Sequence, residues 1–124
     1  YGNKIHCCLN DEDAKALAIT ENITRSQAGI RKAIGLYPNA MYVVGNAPTA
    51  LMEITDQLRA NNNFKPIGVV GAPVGFVNVI ESKEQLSQTK NTNWVIIEGN
   101  RGGSNVAAAI VNAAFTIEEA AEYF

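Results

Sequence analysis

At 124 residues, 47% of them hydrophobic, the chain is long enough to bury one core and short for two. Ten basic side chains stand against twelve acidic ones for a net charge of -2, and neither sign gathers into a block, which excludes the electrostatic footprint of a nucleic-acid or anionic-membrane binder. No apolar stretch approaches bilayer length and no charged-then-apolar leader comes before the first apolar run, so a soluble cytoplasmic protein is expected, with no nucleic acid and no membrane among its partners.

In chain order, Lys4 to Leu9 reads as a strand. Within it Cys7 and Cys8, the two cysteines of the chain, project to opposite faces, so they lack the geometry of an ordinary disulfide as well as metal-ligand spacing, and both are expected as small buried residues. No metal site is expected. Opening at Tyr1 rather than methionine, and reaching an apolar run almost at once, is what a piece of a longer polypeptide would do. A helix from about Asp11 to Asn22 follows, with Asn10 or Asp11 as its cap and Ala14, Leu17 and Ala18 on its apolar face. Asn22-Ile23-Thr24 fits a glycosylation sequon, which without an export signal is coincidence. Thr24-Arg25-Ser26-Gln27 has the capping-box pattern and opens a second helix through Ile30, Ala33 and Ile34 that Tyr37-Pro38 stops.

Three strand-loop-helix units come next. Met41-Tyr42-Val43-Val44 runs into Gly45-Asn46-Ala47-Pro48-Thr49, Ile67-Gly68-Val69-Val70 into Gly71-Ala72-Pro73-Val74-Gly75-Phe76, and Trp94-Val95-Ile96-Ile97 into Gly99-Asn100-Arg101-Gly102-Gly103-Ser104. Ser82 and Gln85 form a further capping-box pattern. The helix from about Ser104 to Phe115 is apolar almost all round and is expected to be buried, while Thr116-Ile117-Glu118-Glu119 restarts a small amphipathic helix through Phe124. Strands alternating with helices imply a parallel sheet, and residues 1–124 read as a single α/β domain with helices on both faces.

Loops at the carboxyl ends of parallel strands form the ligand crevice of such sheets, so right-handed crossovers should gather Gly45, Gly71 and Gly99 at one edge. Gly45 to Leu51 puts a proline in the first turn of a helix and leaves backbone amides free there, which is either a well-made helix start or an anion site. Gly99 to Ser104 is sharper. Two consecutive glycines permit close backbone approach, Ser104 stands where it can cap the next helix, and Arg101 can clamp a carboxylate in bidentate fashion. The spacing fits neither a P-loop nor a dinucleotide fingerprint, which disfavours nucleotides.

These segments resemble the precorrin-8X methylmutase family: GNAPTAL at Gly45 to Leu51, PVGFV at Pro73 to Val77 with Glu81-Ser82-Lys83, and Arg101-Gly102-Gly103-Ser104 followed by Val106 to Ala109 and Val111-Asn112-Ala113. Thr24-Arg25-Ser26 resembles that family's Thr-Arg-Ser element, and the likeness runs from Asn3 to Phe115, the carboxyl-terminal part of a methylmutase subunit. The resemblance implies a three-layer flavodoxin-like fold and a homodimer whose site takes residues from both subunits. It also implies an isomerase that moves a methyl group on ring C of a corrin precursor in cobalamin biosynthesis, without a cofactor.

A corrin precursor is a broad macrocycle fringed with carboxylates, which suits several helix N-termini, backbone amides and arginines better than one deep pocket. The substrate-binding residues expected on this reading are Thr24, Arg25, Ser26, Gly45, Asn46, Thr49, Gly75, Phe76, Arg101, Gly102, Gly103 and Ser104, with Arg25 and Arg101 as charge partners. Phe76 could offer a ring face to the macrocycle, although loop phenylalanines are more often buried under a helix.

The family's catalytic histidine belongs to a His-Ala-x-Gly element that this sequence does not contain, and His6, the one histidine, sits in the first strand at a non-catalytic place. No catalytic residue is assigned. Asn100 stands where the family has a basic residue, and Asn78 where small residues are usual. The alternative is a tetrapyrrole-binding module that keeps the platform without the chemistry.

Overall fold

The structure, a computed structural model, describes residues 5–61, 63–90 and 92–121, the side chains of 115–121 excepted. Five helices and three strands alternate along it: α1 Glu12–Glu21, α2 Arg25–Leu36, β1 Met41–Val44, α3 Pro48–Ala60, β2 Gly68–Gly71, α4 Val79–Ser87, β3 Trp94–Ile96 and α5 Ser104–Ala121. The strands pair in parallel in the order β1-β2-β3, with Met41 opposite Gly68, Val44 opposite Gly71 and Gly71 opposite Ile96.

Strand alternation divides the core between two layers. On one face Tyr42, Val44 and Val69 pack with Leu51 and Ile54 of α3, Leu86 of α4 and Ile34 of α2. The Tyr42 ring meets Phe64 edge-on at 5.2 Å between centroids, and its hydroxyl donates to the Tyr37 carbonyl at 2.8 Å. Burial pushes that hydroxyl up to about 12. On the other face Val70 and Ala72 pack with Ala107, Ile110 and Val111 of α5. Helices thus cover both faces of a parallel sheet, as the alternating pattern implied.

Most helix ends follow their local chemistry. Gln27 N–H donates to Thr24 Oγ1 at 3.1 Å and Thr24 N–H to Gln27 Oε1 at 3.3 Å, the expected capping box of α2. Pro48 stands at the start of α3, where its missing N–H costs no bond. Asn22 closes α1 in the left-handed conformation, with φ 53°. Asp11 stands at the N-cap of α1 but makes no cap bond; its carboxylate, with that of Asp13, accepts from Lys32 Nζ, both at 2.7 Å.

The hydrogen bond from Lys32 holds the Asp13 carboxyl below its ordinary 3.8. A carboxyl depressed in the folded state stabilises it above the ordinary pKa and loses that contribution as pH falls through the folded pKa. Asp13→Asn should therefore lower the melting temperature slightly at neutral pH, and the gap from wild type should narrow in strong acid, below the ordinary 3.8. Thermal melts at the two pH values check this, and a gap that persists in acid would contradict it.

Several expectations are corrected. Ile5–Cys8 is not a strand: Gly29 of α2 lies against the Cys8–Leu9 backbone, the Cys8 carbonyl accepts the Asp11 N–H at 3.2 Å in a turn, and the segment pairs with none of the strands described. Lys4 lies outside the described residues. Cys8 is buried, with its thiol pushed up by desolvation, but Cys7 is exposed. Ser82 does not start a helix. It lies inside α4 with its hydroxyl donating back to the Val79 carbonyl at 2.8 Å, and the chain enters that helix at Asn78 in a left-handed turn.

Nor does Thr116 start a helix, because α5 runs unbroken from Ser104 to Ala121 through a stretch free of glycine and proline. Residues 122–124, where the second helix was expected to end, lie outside the described residues. α5 is not buried either: of its described side chains only Ala107 is, because one stripe faces the sheet and the rest faces outward.

Candidate functional site: a crevice at the carboxyl edge of the sheet

Parallel pairing puts Gly45, Gly71 and Gly99 at one edge, as expected. The ladder continues past the strands there, with Ala72 N–H donating to the Val44 carbonyl at 2.8 Å and Ile97 N–H to the Gly71 carbonyl at 3.2 Å. Hydrogen bonds and close packing join the loops that follow. Gly75 N–H donates to the Asn100 carbonyl at 3.1 Å and Gly103 N–H to the Ala72 carbonyl at 2.9 Å, tying the β2–α4 loop to the β3–α5 loop. Gly45 packs on the first residue of α5, where an added Cβ would stand 2.7 Å from Ser104 Cα. Thr24 Oγ1 lies 3.1 Å from Thr49 Oγ1, which brings the start of α2 to the start of α3.

Four segments are therefore contiguous: Thr24–Ser26, Gly45–Thr49, Ala72–Phe76 and Gly99–Ser104. Arg25 opens α2 with its side chain exposed, and Asn46 and Arg101 are exposed on their loops. Gly75, Gly102 and Gly103 all have left-handed backbone, with φ 124°, 154° and 117°. Phe76 departs from the usual burial of loop phenylalanines: its ring is 88% exposed, next to an exposed Val77. Ser104 is corrected from cap to first helical residue, since the carbonyl of the preceding Gly103 accepts the Ala107 N–H at 2.9 Å, the first bond of α5.

One residue of the site was named in a motif but given no role. Lys83 of α4 is 4% exposed and donates through Nζ to the carbonyls of Gly99 at 2.7 Å and Arg101 at 2.8 Å. Desolvation pushes its ammonium below the ordinary lysine range. The signal in the sequence was a lysine one position after a serine inside an amphipathic helix, which by itself reads as surface.

The four segments carry hydroxyls, backbone amides, arginines and an exposed ring, and no carboxylate or imidazole. Such an arrangement offers hydrogen-bond donors and positive charge to anions around an apolar ring, without a carboxylic acid or imidazole to move a proton. A cavity of about 330 Å³ beside the Gly99 turn is lined by Ile80, Lys83, Glu84, Trp94 and Glu98 among others, and its two glutamates make it a poor berth for carboxylates. His6 is elsewhere, exposed and stacked on the Tyr37 ring at 4.2 Å between centroids. Among the described residues no group of three or more His, Cys, Asp or Glu could hold a metal ion, and no helix is long and apolar enough to cross a membrane.

The model of a known family, precorrin-8X methylmutase, matches residues 1–117. The chain belongs to the precorrin-8X methylmutase family. It is 44% identical over 110 residues to the cobalt-precorrin-8 methylmutase of Methanocaldococcus jannaschii, a match covering 89% of this chain and 51% of the relative. It is 42% identical over 118 residues to the precorrin-8X methylmutase of Pseudomonas aeruginosa, covering 94% of this chain and 56% of the relative. A solved structure described as a precorrin-8X methylmutase related protein superposes with a TM-score of 0.82 at 44% identity, over 89% of this chain and 57% of that one. The Thermus thermophilus precorrin-8X methylmutase superposes with a TM-score of 0.70 at 35% identity, over 82% of this chain and 48% of that one. The chain thus spans about half the length of the methylmutases it matches.

Proposed function

We propose that this chain is the corrinoid-binding platform of a precorrin-8X methylmutase-type isomerase, and that Thr24–Ser26, Gly45–Thr49, Gly75–Phe76 and Arg101–Ser104 hold the carboxylate-fringed macrocycle. The observation that carries the reading is the contiguity of those four motifs at one sheet edge. Donors spread along an edge suit a ligand whose anionic groups are spread along a rim, and the exposed Phe76 ring suits the flat centre of that ligand. The proton-handling group is not among these segments, so the chain alone binds the corrinoid without turning it over.

Titration with hydrogenobyrinic acid, followed by absorption, tests the binding. Arg25→Ala and Arg101→Ala should each weaken it by about 1.5–3 kcal/mol, the worth of a charge-assisted contact, while His6→Ala should leave it nearly unchanged. Equal binding by both arginine variants and wild type would refute the placement.

The homodimer belongs to the same proposal. Met41, Val43 and Val95 leave apolar sheet surface 36%, 44% and 48% exposed, and beside them a groove of about 170 Å³ runs between the sheet and α5. A second copy of this chain is the occupant proposed. Light scattering on the titrated samples should give the mass of two chains; a clean monomer at high concentration counts against it.

A further inference from the structure

Lys83 is an unusual use of a lysine. The residue is 4% exposed, and the two hydrogen bonds of its ammonium go to backbone carbonyls of one turn, those of Gly99 and Arg101, rather than to a carboxylate. Burying a cation is costly unless its donors are used, so a lysine spent on two carbonyls fixes the turn that carries them. A trans peptide is planar, with its C=O and N–H pointing in opposite directions, and the chain has no cis peptide bond among its described residues. The carbonyls of Gly99 and Arg101 turn inward onto Lys83; the N–H groups of the same two peptide units, those of Asn100 and Gly102, must then turn outward. Neither N–H has an acceptor among the described residues. Between them the Asn100 carbonyl is itself pinned by Gly75 N–H, which leaves the turn little freedom to rotate either peptide.

We infer that Lys83 is a positioning residue: by holding the Gly99 and Arg101 carbonyls it aims the N–H groups of Asn100 and Gly102 outward as a paired berth for one ligand carboxylate, next to the Arg101 side chain. This rests on the corrinoid reading for the identity of the ligand but not for the geometry of the berth. The donors in this berth are main-chain N–H groups, which any residue but proline provides.

The test is an amide-resolved NMR titration of the full 124-residue chain with hydrogenobyrinic acid and, separately, with glutarate as a plain dicarboxylate. In wild type the Asn100 and Gly102 amides should shift together and saturate with either ligand, while core amides such as Val69 stay in place. Lys83→Met, which keeps the stem and removes the donors, should weaken hydrogenobyrinic acid binding about tenfold or more and uncouple the two amides. A folded Lys83→Met that binds as wild type does, or wild-type amides that stay still while ligand saturates, overturns the proposal and leaves the corrinoid reading standing. Failure of wild type to bind hydrogenobyrinic acid overturns the corrinoid reading, and the glutarate shifts then decide the berth alone. Should Lys83→Met not fold, the wild-type amide shifts decide it.

Discussion

Gly102→Ala should cost about 3 kcal/mol or more of stability and abolish ligand binding in whatever fraction remains folded. A Cβ at this position would stand 2.3 Å from the Ala72 carbonyl oxygen and 2.9 Å from the carbonyl carbon, which are backbone atoms of β2's extension with no rotamer to move aside. Residue 102 also has φ 154°, at the margin of the region that side chains avoid, so the substitution meets strain as well as collision. The chain must yield by moving the Gly99–Ser104 turn off the β2–α4 loop, which breaks the Gly103 to Ala72 bond and displaces Arg101. Gly35→Ala is the control. Gly35 is exposed in α2 with nothing within 4 Å of an added Cβ, so the same chemical change there should stabilise by about 0.5–1 kcal/mol. Urea denaturation of the two variants checks both signs.

Leu51→Ala should lower stability by about 2.5–5 kcal/mol in the same assay. Leu51 is fully buried on the sheet-facing side of α3, and its Cδ2 would lie 3.2 Å from a Cβ added to Gly71, with Leu86 Cδ2 at the same distance. The two leucines fill the space that the missing Gly71 side chain leaves at the end of β2, directly beneath the crevice. Truncation leaves a cavity there, and its cost grows with the volume that the neighbours fail to close. The variant should therefore lose affinity for the corrinoid along with stability, whereas a truncation remote from the strand ends would lose stability alone. Unchanged affinity in a destabilised Leu51→Ala would show that the edge loops are held independently of the core below them.

The crevice was legible in the sequence because each of its loops combines an apolar run, a glycine and a helix start, and parallel pairing leaves no choice about which edge those loops share. The α2 capping box was legible for a similar reason: Thr24 and Gln27 satisfy each other without help from the rest of the fold. What escaped depends on contacts that no local pattern encodes. Ser82 and Gln85 have the same spacing as Thr24 and Gln27, but the left-handed Asn78 starts α4 earlier and turns Ser82 inward. Ile5–Cys8 has the alternation of a strand and no partner to pair with, because Gly29 admits its carboxyl end onto α2 instead. The apolar character of α5 predicted burial, and burial is a property of the surroundings: the three short strands among the described residues present too little surface to cover it. No local pattern signals the role of Lys83, since only the fold brings the Gly99 and Arg101 carbonyls to its ammonium.

On the function proposed above, the four edge segments form a corrinoid platform that binds without a proton-transfer group of its own. Incubating the chain with precorrin-8X, or its cobalt form, and recording the absorption spectrum over time tests it most directly. An immediate, saturable shift of the corrinoid bands that Arg101→Ala weakens is expected, with no later conversion to hydrogenobyrinic acid. A spectrum unchanged at any protein concentration would contradict the platform, and methyl migration that His6→Ala abolishes would show that the chemistry lies in the segment stacked on Tyr37 rather than at the edge.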